Sequence, residues 1–184
     1  MKLVRTATAL AVAIAATSCA AGDVTTGLAS LARDGEPAIR TDADTYELRP
    51  WGHDGLATEI HIRFRNITNR PLAIVNCHEM LTPVLQKRTA DGWIHMWSPP
   101  TLMCLSRPIV IRPGRVYERT IHVFGALPPS NVSPEFASRD VAGTYRMVMG
   151  SVVTGYDANR QDFGNPVPLQ FRLSNEFELH LPEP

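Results

Sequence analysis

The stretch TEIHIRFRN, residues 58–66, decides the fold. Ile60, Ile62 and Phe64 alternate with Glu59, His61, Arg63 and Arg65, so an extended chain here has one apolar face and one wet face. Downstream, Asn69, Arg70 and Pro71 spell a turn, and Leu72 to Cys77 is a more uniformly apolar run, suited to a strand covered on both faces.

The same punctuation continues along the chain. Val84 to Thr89 and Trp93 to Ser98 flank Ala90-Asp91-Gly92, whose Asp-Gly marks a hairpin. Pro108 to Arg112 and Arg115 to Phe124 flank Pro113-Gly114, where proline presets φ and glycine admits the positive φ that follows. Gly143 to Val153 and Val167 to Leu181 complete the set, with Leu169, Phe171 and Leu173 alternating. About nine short strands and no amphipathic helix predict an all-β fold, an antiparallel sandwich of about seven to nine strands over residues 42–184.

Five short patterns carry a resemblance: Phe64-x-Asn66, Trp93-x-x-x-Trp97-Ser98, Arg112-Pro113-Gly114, Gly143-Thr144-Tyr145 and Ser174-Asn175-x-Phe177. Together they resemble bacterial immunoglobulin-like sandwich domains, in a layout similar to the intracellular proteinase inhibitor type. Gly143-x-Tyr145-x-Met147 is similar to the tyrosine corner of that fold, with Met147 where an antibody domain has its second cysteine. The resemblance implies an immunoglobulin-like module, with protease inhibition as a reading by fold analogy.

The chain begins with Met1, Lys2 and Arg5, followed from Thr6 to Thr17 by an almost wholly apolar run, the layout of an export signal. The run is too short for a bilayer-spanning helix, which needs roughly 20 residues. It ends in Ala16-Thr17-Ser18-Cys19-Ala20, which resembles a bacterial lipoprotein signal and implies acylation of Cys19 after cleavage. Ordinary secretion is the alternative. Residues 20–41, with Gly22, Gly27, Gly35 and Pro37 among Ala, Thr and Ser, read as a flexible tether of roughly 25 Å, apart from a turn of helix at Leu28 to Arg33. The expected location is the cell envelope, with the membrane as one partner through the lipid and an envelope protein as the other.

With Cys19 set aside, Cys77 and Cys104 remain as an even pair in a compartment where disulfides persist. The hairpin between them doubles back, which predicts a bridge that pins its base. The rival reading is copper. His78, Met80, His95, Met96 and Met103 surround the two cysteines, and imidazole with thioether selects Cu(I). Against it, Met96 alternates with Ile94 as a core residue would.

Other chemistries fit less well. His78-Glu79 starts a zinc-protease motif, but Thr82 stands where the second histidine belongs and Pro83 is hostile to a helix. Cys77 and His78, adjacent on a strand, point to opposite faces and make a poor nucleophile and base. Asp157-x-Asn159-x-Gln161-Asp162 begins like a calcium loop, yet the glutamate of the twelfth position is replaced by Pro168. A polar hairpin tip is the plainer reading. His61 and His122 fall on wet strand faces.

Trp93 and Trp97, four apart, are expected on one strand face, either filling the core or forming an exposed binding shelf. Lys plus Arg equals Asp plus Glu at 18 each, so net charge suggests no nucleic-acid partner. No catalytic constellation and no cofactor emerge. The sequence thus reads as a non-enzymatic envelope module, with a copper chaperone as its alternative.

Overall fold

The computed structural model describes residues 38–77, 80–100, 106–157, 159–160 and 162–182, with backbone alone at Cys77 and Met80. The chain forms β1 (Ile39–Thr41), β2 (Thr45–Glu47), β3 (Arg49–Trp51) and β4 (Gly55–Arg65), then the short β5 (Leu72–Ile74), β6 (Asn76–Cys77) and β7 (Met80–Leu81). β8 (Pro83–Thr89) and β9 (Gly92–Trp97) make a hairpin, and β10 (Ile109–Ile111) and β11 (Val116–Ala126) follow. The rest is β12 (Gly143–Met149), β13 (Val152–Thr154), β14 (Tyr156–Asp157), β15 (Asp162–Phe163) and β16 (Leu173–His180).

The protein is all-β. TEIHIRFRN lies in and just beyond β4, which pairs with β11 over eleven residues from Val116↔Arg65 to Ala126↔Gly55. Ile60, Ile62 and Phe64 are fully buried, as are Ile121 and Val123 of β11 to within 5%. On the outer face the cross-strand partners are complementary: Glu59 with His122 at 3.1 Å, His61 with Thr120 at 3.4 Å, Arg63 with Glu118 at 2.8 Å.

The main sheet runs β11-β4-β1-β16-β12-β8-β9. It is mixed rather than antiparallel throughout, because β1 pairs antiparallel with β4 and parallel with β16, and β2 pairs parallel with β16. The sheet curls until its two ends meet, where the Trp97 indole N–H of β9 donates to the Phe124 carbonyl of β11 at 2.8 Å. Residues 134–137 bridge the same gap: the Phe136 amide donates to Ala126 and the Ala137 amide to Met96, each at 2.9 Å. This arrangement is consistent with a β-sandwich around one core.

Two boundaries differ from expectation. Residues 39–41, assigned to the tether, form β1 at the centre of the sheet, because a strand of only three residues carries little periodicity. Leu169–Phe171, read as part of the last strand, is a 3-10 turn, whose first residue is 48% exposed.

Tyr145 anchors the turn before β12. It is fully buried, and its hydroxyl donates to the Val141 carbonyl at 2.8 Å. Burial, and behind it the Asp140 carboxylate, pushes its phenol well above the ordinary value. Beside it, the buried Lys87 ammonium lies 2.7 Å from both the carboxylate and the carbonyl of Asp140, which ties the turn to β8.

A candidate binding groove at the β11 edge

The β8–β9 pairing carries a bulge. Leu85 faces Trp97, but Gln86 already faces His95, so Met96 is an extra residue on β9. The phase of alternation flips there. Met96 and Trp97 are both fully buried, while Ile94 is 44% exposed. The expected common face for Trp93 and Trp97 is therefore corrected: the bulge sends Trp97 into the core and leaves Trp93 half-exposed outside. Met96 is buried in the core as expected, whereas Ile94, opposite Lys87, is 44% exposed.

Outside, Trp93 meets two guanidinium groups. Arg146 lies 4.4 Å from its ring centroid and Arg88 5.6 Å. Each arginine is held by a further partner, Arg146 by Gln86 and Arg88 by Glu176. Desolvation over the ring lowers the Arg146 pKa, and the Glu176 carboxylate opposes that shift. The stack is a closed set of mutual contacts.

Trp97, itself fully buried, lies behind a groove of about 470 Å³ that Leu81, Ile121 and Phe124 also line. Pro99 and Pro100 make one lip, and Arg119, Thr120 and His122 the other. By alternation Arg119 shares the inward face of Ile121, at the point where the sandwich opens. Beyond Phe124 sits Trp51, 36% exposed, with ring centroids 5.0 Å apart. Gly55 permits this approach, since a Cβ there would lie 2.6 Å from the Trp51 carbonyl and 2.7 Å from its ring. Trp51, Arg119 and Phe124 were not legible as site residues, although the spacing Trp51-Gly52-x-x-Gly55 hinted at a ring that needs bare backbone beside it.

Backbone direction adds to the groove. In an antiparallel pair the N–H and C=O of one residue point the same way, and successive residues alternate. The carbonyl of Phe124 and both groups of Ala126 point away from β4, towards Trp97, Pro134 and Phe136. The amides and carbonyls of Glu118, Thr120 and His122 must then also point away from β4, along the groove. Among the described residues no other strand pairs with them.

The other predicted site residues are dispersed. His95 is exposed and Met96 is in the core, so these two members of the copper set diverge. His78 and Met103 lie outside the described residues, as does the side chain of Met80. The Cys77 to Cys104 bridge also lies outside them, as do Cys19 and the helical turn expected at Leu28 to Arg33. Asp157 caps its own hairpin by accepting from the Asn159 amide at 2.9 Å, the polar tip expected there. Among the described residues no three His, Cys, Asp or Glu side chains are grouped to hold a metal ion. No family model, curated protein or solved structure matches this chain.

Proposed function

We propose that the protein is an exported, lipid-anchored, non-enzymatic immunoglobulin-like module that binds an extended segment of another envelope protein along β11. One observation carries the reading: an apolar groove runs beneath a strand edge whose amides and carbonyls at Glu118, Thr120 and His122 face outward. Strand addition uses those two features together, main-chain pairing for affinity and a side-chain pocket for selection. The immunoglobulin-like assignment is supported by the Tyr145 hydroxyl bonded to Val141, four residues upstream. The anchor is supported by the signal ending at Cys19.

Thr120→Pro tests the groove. Its amide points away from β4, so proline there removes an outward donor and spares the β4 ladder, as edge positions allow. A photocrosslinker at Pro100 in intact cells should give a discrete adduct that Thr120→Pro abolishes while the protein stays folded. The same crosslinker at Asn159 should give none. An adduct at Pro100 that ignores Thr120→Pro would rule out strand addition.

A further inference from the structure

The balanced charge of the chain conceals a strongly basic end. Residues 63–71 and 106–117 contain no Asp or Glu and six arginines. Arg63 is engaged by Glu118, but Arg65, Arg70, Arg107, Arg112 and Arg115 are all exposed and form no ion pair with a described residue.

The fold brings these segments to one place. The fully buried Asn66 donates through its side-chain amide to the carbonyls of Arg70 at 2.8 Å and Ile111 at 2.7 Å. Its backbone exchanges hydrogen bonds with Gly114 and Arg115. Gly114, at φ 72°, makes the tight turn that presents Arg112 and Arg115 side by side. The loops after β4 and before β11 are thereby one rigid unit, so Arg65, Arg70, Arg112 and Arg115 are held at the same end of the domain, while Arg107, whose carbonyl accepts from the Asn76 side chain at the other end of β10, stands apart. The neighbouring β14–β15 hairpin hangs on Pro71 through the Gly155 amide and adds two acidic groups, Asp157 and Asp162. Asp157 is engaged by Arg160 and its own turn, so the end stays net positive.

Two further observations select the partner. Exposed apolar side chains interleave with the arginines: Val110 at 51%, Val116 at 42%, and Phe163 of the hairpin at 43%. The chain also enters the domain here, since the Ala38 carbonyl accepts the Arg65 amide at 2.8 Å. An acyl group on Cys19 would deliver the domain to a bilayer with this end foremost.

We propose that this end docks on anionic phospholipid headgroups, with the arginines on phosphates and Val110, Val116 and Phe163 at the headgroup boundary. The inference rests in part on the lipid anchor proposed above. Docking in this pose leaves the two strands that meet at the groove projecting from the membrane. Each arginine near an anionic surface strengthens binding by about fivefold, so a pair is worth roughly 25-fold.

The test uses the full chain carrying Cys19→Ser and sedimentation with vesicles of phosphatidylcholine, alone or mixed with phosphatidylglycerol. Binding to the anionic vesicles should be at least about tenfold tighter and should vanish at high salt. Arg112→Ser with Arg115→Ser should weaken it roughly 25-fold, while Arg49→Ser, on a strand away from this end, should leave it unchanged. Absent binding, equal binding to both vesicles, or indifference to the Arg112 and Arg115 changes would overturn the proposal. So would binding to an oligonucleotide with no binding to anionic vesicles, which would make the end a site for soluble polyanions. An unacylated Cys19 in the native protein would remove the anchor and leave the vesicle result standing.

Discussion

The β4–β11 pair and the β8–β9 pair start from similar sequence signals and end differently. In the first, eleven residues hold one register, and Ile60, Ile62 and Phe64 all land on the buried face. In the second, one extra residue at Met96 reverses the faces, so the two tryptophans divide between core and surface. Period two is reliable only while the ladder is continuous.

The sharpest way to test that difference is to truncate each ring. Trp97→Ala removes a fully buried side chain and its bond to Phe124, so it should cost about 3–5 kcal/mol in denaturant unfolding. Trp93→Ala loses only a half-exposed ring and its two guanidinium contacts, so about 1 kcal/mol is expected. Equal costs for the two would mean that the bulge does not separate them.

Tyr145→Phe should come next, at about 1–2 kcal/mol, because the Val141 carbonyl loses its buried donor. The variant also has a pH signature. The folded phenol titrates above its unfolded value, so its contribution is complete below pH 10 and is lost as pH rises beyond it. Tyr46, pushed up to about 12 by burial and by Asp42, adds a similar loss in both proteins. Unfolding measured above pH 10 should therefore show a steeper decline for the parent protein than for Tyr145→Phe.

The smallest effect belongs to the outer face of the regular pair. Glu118→Ala breaks the bond to Arg63, both side chains being more than half exposed, and should cost no more than about 0.5 kcal/mol, less at high salt. A larger loss would show that the wet face of β4 and β11 contributes more than solvent screening allows.

Much of the fold was legible. The alternation around Ile60, the Asp-Gly hairpin at Asp91-Gly92, the Pro113-Gly114 turn and the tyrosine signature at Gly143-x-Tyr145 are each local, and each has its structural counterpart. The groove was not legible. Its walls come from residues 81, 97, 99, 100, 119–122 and 124, which no spacing rule connects, and its backbone edge has no side-chain signature at all. The parallel pairing of β1 and β2 with β16 joins the first described residues to the last, a contact that short strands cannot announce.

By itself the sequence determined the class: short strands, their inward faces and their turns follow from side-chain alternation and from φ preferences, which act within a few residues. Tertiary structure alone decided where charge and openings lie. Eighteen positive and eighteen negative side chains sum to zero along the chain. Folding gathers Arg65, Arg70, Arg112 and Arg115, which form no ion pair with a described residue, around Asn66 and leaves a groove where the two ends of a curled sheet meet, because Coulomb fields and cavities depend on distance in space and not on distance in sequence.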